Sequence, residues 1–456
     1  MELTKKYIQE LKYQDIGALL QNNSVNNAYI QTLLENLGRL PSTFNGDWLI
    51  KLLDSENSTI RFLAVKNLGK LKNERFLIFL NNVAVNDSDT NVRREAVSAI
   101  GRLRKSNSKE ILFNKLKDED PKVVCQAIRG LLVFKGTEEV DERLKQLVNH
   151  QNEMITQVIR KEYFSSKETN NTQKHTESYD YLKNVVVHGD TIETMKLLKD
   201  ESVHLTFTSP PYYNARDYSI YPSYKYYLEF LRDVFQEVYR ITKEGRFLLL
   251  NTSPIIVPRV SRAHSSKRYP IPFDIHHYLI EMGWEFIDDI VWEKPATSVK
   301  NRIGGFQQHH KPLGYKPNIV TEYVFVYRKS TEKLLDWNIH QYDEEIVEDS
   351  KVTEEFETTN IWKIDPCFDK VHSAVFPIEL CKRVIQYYSY KNDLVFDPFG
   401  GSGTVGKTAK ALGRYFFLTE KEEKYFSYMK SKLLFELADD FPARFVSFNE
   451  FKEIIL

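Results

Sequence analysis

The sequence predicts an all-α repeat region followed by a doubly wound α/β domain, and three observations carry the prediction. A motif recurs three times at a spacing of about thirty-two residues in the first part of the chain. A polar stretch without apolar periodicity comes next. Beyond it, short β-branched and aromatic runs alternate with amphipathic segments.

Bulk composition sets the frame. With 456 residues, 42% hydrophobic and 28% charged, the chain reads as ordinary globular protein of about two to four domains. Formal net charge is zero, so any nucleic-acid surface has to be a local basic patch. Cys125, Cys367 and Cys381 are too few and too scattered for a disulfide framework, and no CxxC pair suggests zinc. Adjacent His309 and His310 do not read as metal ligands, because successive side chains seldom point at one ion. No metal is therefore expected. The polar start MELTKKYIQELKYQD and the lack of a long apolar run predict a cytoplasmic protein with no membrane association.

The repeated segments are LLDSENSTIRFLAVKNLGKL, AVNDSDTNVRREAVSAIGRL and KLKDEDPKVVCQAIRGLLVF. Each opens with an acidic turn at Asp54, Asp87 or Asp118 and continues into a helix with a small residue at Ala64, Ala96 or Ala127. The partners Val65 and Leu68, Val97 and Ile100, Ile128 and Leu131 share one helical face. This resembles HEAT-type repeats, in which each helix pair buries its apolar face against the next. A solenoid over residues 1–163 is expected, with a linker over 164–180 (FSSKETNNTQKHTES at its core) and a second domain over 181–456.

In the second domain, NVVVHGD, VHLTFTSPP, RFLLLNTSP, IDDIVWEK, YVFVYRK, LVFDPFGGSG and RYFFLTE read as strands of a parallel sheet. Gly400, Gly401 and Gly403 then form a loop between a strand and a helix, where backbone amides can approach a ligand closely. Glu420, at the end of the next strand, is placed to accept hydrogen bonds from ribose hydroxyls. The run from Gly401 to Thr408 also satisfies the GxxxxGK[ST] phosphate-loop pattern literally, which makes an ATPase the competing reading. The acidic entry Asp397-Pro398-Phe399 and Glu420 suit an adenosyl ligand instead.

The second chemical feature is Thr208-Ser209-Pro210-Pro211-Tyr212 at the end of VHLTF. The exocyclic amine of a base is a poor nucleophile, because its lone pair is delocalised into the ring. Acceptors on its two hydrogens favour the pyramidal form that attacks a sulfonium methyl. The Ser209 hydroxyl and the Pro210 carbonyl can supply both acceptors, the prolines stiffen the turn, and the Tyr212 ring offers a stacking face for an extruded base.

From residue 181 to about 435 the chain resembles the amino-methyltransferases of DNA in the circularly permuted beta class, where the catalytic motif precedes the cofactor motif. The resemblance rests on VVVHGD, VHLTFTSPPYYN, IDDIVWEKP, TEYVFVYRK, HSAVFPIELCKRVIQYYS and DLVFDPFGGSGT. It implies a Rossmann-like fold and the cofactor S-adenosyl-L-methionine. Carried over by position, Asp190, Phe376, Pro377, Asp397, Phe399, Gly400, Gly401, Gly403, Thr404 and Glu420 become cofactor contacts. Ser209, Pro210, Pro211 and Tyr212 become the catalytic set. A serine in the tetrapeptide implies methylation of cytosine at N4, with N6 of adenine as the alternative, and the resemblance implies duplex DNA and a cognate restriction endonuclease as partners. Thr419 departs from the family, which tends to be apolar or glycine there. Carbon-5 methylation needs a cysteine nucleophile, and the Pro366-Cys367 pair is expected to lie away from the cofactor loop.

Between about 296 and 360 the strand and helix texture lapses, where the family keeps its target-recognition region. Lys294, Lys300, Arg302 and Lys311 there, and Arg259, Arg262, Lys267 and Arg268 in RVSRAHSSKRYP, are the candidate DNA contacts.

Overall fold

The computed structural model describes all residues except 1–4, 15, 23–25, 42, 165–174, 215–219, 258–260, 262, 264–265, 299–308, 311, 314, 316, 354, 370–374, 437–442 and 456. The chain forms two compact units, residues 1–170 and 171–456. No described helix is long and apolar enough to cross a membrane.

The first unit is helical in all its described elements. The three repeat helices, Ser58–Leu71, Thr90–Leu103 and Pro121–Leu131, are capped by Asn57, Asp89 and Asp120. In two repeats the turn aspartate braces the cap: Asp87 accepts from the amide of Asp89 at 2.8 Å and Asp118 from that of Asp120 at 3.1 Å. In the first repeat Ser55, not Asp54, holds that place, accepting from Asn57 at 3.3 Å. Arginines tie each repeat to the next, Arg61 to Asp87 at 2.8 Å and Arg94 to Asp120 at 2.6 Å. Ala64, Ala96 and Ala127 are fully buried as expected. The closest approach is nevertheless made by glycine: a methyl on Gly101 would lie 2.9 Å from the Gly130 backbone, and one on Gly69 2.7 Å from Ala99.

The second unit is built on a mixed sheet. Its strands are β1 (Val185–His188), β2 (Val203–Thr208), β3 (Thr242–Thr252), β6 (Trp284–Glu293), β7 (Thr321–Lys329), β8 (Ile361–Lys363), β9 (Leu394–Asp397), β10 (Tyr415–Glu420) and β11 (Arg444–Ser447). Strands β4 (Ile255–Val257) and β5 (Lys267–Tyr269) pair separately. The order is β11-β1-β10-β9-β2-β3-β7-β6-β8. Side chains leave alternate faces: Val185 and Val187 enter one core while Val186 enters the other. A sheet buried on both faces needs near-continuous apolar strands, which is why VVV, LVF and YFFL read as they do.

Three expectations are corrected here. The sheet is not wholly parallel: β7 runs antiparallel to β3 and to β6. Neighbouring antiparallel strands need no crossover between them, and β7 pairs along its length with β6. Because β7 lies inside the sheet, residues 296–360 are not one inserted region but two stretches on either side of a strand. The predicted linker also reaches too far, since His175 to Asp180 are built into the second unit. His175 stacks on Tyr342 at 4.1 Å, and the buried Ser178 hydroxyl donates to the Ser202 carbonyl at 2.8 Å. Polarity hid this, because His175 and the buried Ser178 satisfy a polar foot of the sheet rather than meeting water.

At that foot His175, His204 and Asp393 converge, the three side chains whose ligand atoms could hold an ion. The geometry argues for a hydrogen-bonded anchor. His204 Nδ1 accepts from the Leu394 amide at 3.0 Å, so a neutral ring carries its proton on Nε2 and has no lone pair left for a cation. Asp393 is already ion-paired with Arg246. Burial pushes the His175 pKa down to about 4, so that ring stays neutral through physiological pH.

Candidate active site

Strand β9 stands between β10 and β2, with Leu205 opposite Val395 and Thr206 opposite Phe396. The glycine loop leaves the C-terminal end of β9 and the SPPY turn leaves that of β2. They are therefore neighbours at one edge of the sheet, about one strand spacing (~4.8 Å) apart at their roots. A direct bond joins them: Thr208 Oγ1 donates to Asp397 Oδ1 at 2.7 Å. Above this point opens a cavity of about 970 Å³.

Its wall contains residues from both motifs. Ser209, Pro210, Pro211 and Tyr212 line it, as do Asp190, Phe376, Asp397, Phe399, Gly400, Gly401, Thr404 and Glu420. Two predicted contacts stand one step back. Gly403 caps helix Thr404–Ala411, and Pro377 caps helix Ile378–Tyr388. Neither is part of the cavity wall; both shape it from behind.

The glycine loop owes its form to backbone freedom, with φ of +53° at Gly401 and +74° at Gly403, a region that disfavours side chains. The Gly401 amide donates to Glu420 Oε2 at 2.8 Å, and the Glu422 amide to Oε1 at 2.8 Å. Glu420 is thereby held rigid with lone pairs to spare. Burial raises its pKa, against those amide bonds. Asp397 is more strongly affected: burial pushes it up to about 7, opposed by the bonds from Thr208 and the Phe399 amide. Asp190 caps helix Thr191–Lys196, accepting from Ile192 at 3.0 Å, and Lys421 lies 3.4 Å from its other oxygen. Thr419 is fully buried with its hydroxyl donating to the Pro398 carbonyl at 2.8 Å. The departure from an apolar residue thus clamps the loop to β10.

The phosphate-loop reading fails on geometry. Helix Thr404–Ala411 has already completed most of a turn at Lys407, whose amide donates to the Gly403 carbonyl at 2.9 Å. A methyl on Gly406 would strike Leu418 at 2.9 Å, so this glycine packs on the sheet. The Thr408 hydroxyl is used by the Thr404 carbonyl at 2.8 Å.

Asn251, Trp292 and Glu322 escaped sequence reasoning, and Lys294 was expected elsewhere; all four line the wall from the ends of β3, β6 and β7. Because β7 is antiparallel, its first residues lie at the same edge as the last residues of β3, with Thr252 opposite Tyr323. Knowing that orientation was the missing signal. Glu322 accepts a bond from the Tyr212 hydroxyl at 3.3 Å and is ion-paired with Lys294. Lys294, expected on DNA phosphate, is instead committed to that carboxylate and sits 4.3 Å from the Trp292 ring centroid. Burial also pushes the Tyr212 pKa up, so the phenol keeps its proton.

The remaining candidate DNA contacts divide in two. Lys267 and Arg268 are exposed on β5. Arg259, Arg262, Lys300, Arg302 and Lys311 lie outside the described residues. Cys367 corrects another expectation: it lines the cavity, because the segment after β8 turns back toward the cofactor loop.

Comparison with known proteins bears on this geometry. Residues 203–431 match the DNA methylase family model, and residues 79–161 match that of HEAT repeats. The type II beta methyltransferase M.BslI of Bacillus sp. (strain NEB-606) is 26% identical over 262 residues, 55% of this chain but 28% of its own length. The orphan methyltransferase M.BamHII of Bacillus amyloliquefaciens is 28% identical over 254 residues, 50% of this chain and 86% of its own. This chain thus spans under a third of M.BslI and most of M.BamHII. A DNA modification methylase of Thermus thermophilus, solved with S-adenosyl-L-methionine, aligns with a TM-score of 0.46 at 24% identity, covering 58% of this chain and 98% of that one. From its second β-strand to the helix after Glu420, this chain belongs to the DNA methylase family.

Proposed function

We propose that the chain transfers a methyl group from S-adenosyl-L-methionine to the N4 amine of a cytosine extruded from duplex DNA. The observation that carries the reading is one cavity walled by both the SPPY turn and the glycine loop. The wall suits an adenosyl ligand: Glu420 and Asp190 offer carboxylate acceptors for hydroxyl and amine hydrogens, and Phe376 and Phe399 offer apolar faces. When bound, the cofactor supplies an electrophilic methyl on a cationic sulfur.

The chain's own residues do the rest. Ser209 Oγ and the Pro210 carbonyl accept the amine hydrogens and localise the nitrogen lone pair, acting where the transition state differs from the ground state. The Tyr212 ring stacks on the base, and Glu322 fixes that ring through its hydroxyl. The prolines hold the turn without conformational choice. Asp397 ties the two motifs together through Thr208, so that cofactor and base are held in mutual register.

Lys267 and Arg268, exposed on β5, are proposed to contact DNA phosphate, and so, from the sequence alone, are Arg259, Arg262, Lys300, Arg302 and Lys311. A restriction endonuclease of the same recognition sequence is the proposed functional partner. The test is methylation of genomic duplex DNA followed by nucleoside mass spectrometry. N4-methylcytosine is the expected product; N6-methyladenine would reassign the base, and 5-methylcytosine would reassign the chemistry to Cys367.

A further inference from the structure

Charge placed at the same end of every repeat helix adds up along one edge of a solenoid. Between residues 61 and 135 stand 16 Lys and Arg against eight Asp and Glu, in a chain whose net charge is zero. Five of the eight acids, Asp87, Asp89, Asp118, Glu119 and Asp120, lie in the turns before helices Thr90–Leu103 and Pro121–Leu131. At that end Arg61 reaches Asp87 and Arg94 reaches Asp120. At the other end Gly69 meets Ala99 and Gly101 meets Gly130. The three repeat helices therefore run parallel, and their C-terminal ends form one edge. Most of the acids stand at the opposite edge, so this one is basic.

Two cations mark it. Lys72 and Arg104 take equivalent places just past helices Ser58–Leu71 and Thr90–Leu103, and both are exposed. Neither side chain has an ion-pair or hydrogen-bond partner among the described residues. Their backbones are left-handed, with φ of +50° and +55°, where glycine is the favoured residue. The helix dipole favours a cation at this end, but by less than a left-handed backbone costs a side chain. Packing thus gives no reason for a long cation to occur there twice. The neighbouring cations are already engaged: Lys70 donates to the Gly38 carbonyl at 3.0 Å, Arg102 pairs with Glu95 at 2.6 Å, and Lys105 with Glu74 at 2.9 Å. The last of the eight acids, Glu110, stands beside Lys109 in the first turn of helix Lys109–Lys115. We propose that this edge of the solenoid holds the sugar-phosphate backbone of duplex DNA, with Lys72 and Arg104 each on a phosphate. Packed helices lie about 8–10 Å apart, so the repeats present cations at regular intervals to a polyanion whose charges also repeat. The choice of duplex DNA as that polyanion rests on the substrate of the reading above.

Glycine fits the left-handed backbone, so Lys72→Gly combined with Arg104→Gly removes both charges without straining the fold. The full chain carrying both should melt no lower than wild type. Its affinity for genomic duplex DNA should fall, uniformly across sequences, and the plot of log affinity against log salt should be shallower by about two, one for each phosphate contact. At saturating DNA, single-turnover methyl transfer should match wild type, since neither residue lines the cavity. An unchanged salt slope in a variant that keeps its melting temperature would assign the edge to some other partner and overturn the proposal, as would a loss confined to one sequence. If the glycine variant melts early, Lys72→Gln with Arg104→Gln keeps the length of the side chains, and an unchanged slope there overturns it equally. Wild-type protein that binds no duplex DNA overturns the functional reading and the inference together, whereas a wild type that methylates DNA beside variants of unchanged slope overturns the inference alone.

Discussion

Asp397 is the residue whose electrostatics reach furthest. Its carboxyl is raised to about 7 by burial, so the folded state holds a proton more tightly than the unfolded chain does. The sign follows: the stabilising contribution is full below the unfolded value near 4 and is lost as pH rises through about 7. Asp397→Asn keeps an acceptor for Thr208 and the Phe399 amide without the buried charge. Its melting temperature should therefore exceed that of wild type at about pH 8.5 and approach it at about pH 5, as read by calorimetry. A cationic ligand in the cavity favours the ionised carboxylate, so S-adenosyl-L-methionine should bind wild type more tightly as pH rises toward about 7 and then level off. Cys367→Ser tests the other chemistry at this wall: transfer should survive, because an amine nucleophile needs no thiolate. At this scale the SPPY and glycine motifs were legible because their residue types are dictated by local chemistry. Glu322 and Lys294 were not, since a Glu and a Lys in strand-end positions carry no local sign of facing each other.

At the scale of elements, strands and repeats were readable from periodicity, and their directions and closest contacts were not. The run TEYVFVYRK announces a strand, but nothing in it tells that the strand pairs antiparallel with both of its neighbours. Likewise the alanines of the repeats marked a buried face, whereas the contact that sets helix spacing is glycine on glycine at Gly101 and Gly130. Gly101→Ala should destabilise the first unit by about 1–3 kcal/mol, because backbone on the facing helix cannot yield as a flexible side chain would. Thermal unfolding followed by circular dichroism would register it. An unchanged melting curve would mean that the solenoid adjusts its spacing freely.

For the whole molecule, the division into two units follows from two kinds of burial. The solenoid buries one helical face per repeat, and the sheet buries both its faces. The change of texture near residue 164 was legible, but the polar segment from His175 to Asp180 was indistinguishable from a linker because its partners, Ser202, His204 and Tyr342, are distant in sequence. The most direct measurement takes the full chain and follows methyl transfer to duplex DNA and binding of S-adenosyl-L-methionine side by side, in Ser209→Ala and Glu420→Ala. Ser209→Ala should lose transfer by about 100-fold or more while binding the cofactor as wild type does, and Glu420→Ala should lose cofactor affinity first. Undiminished transfer in both variants would contradict the assignment of this cavity as the place where methyl and base meet.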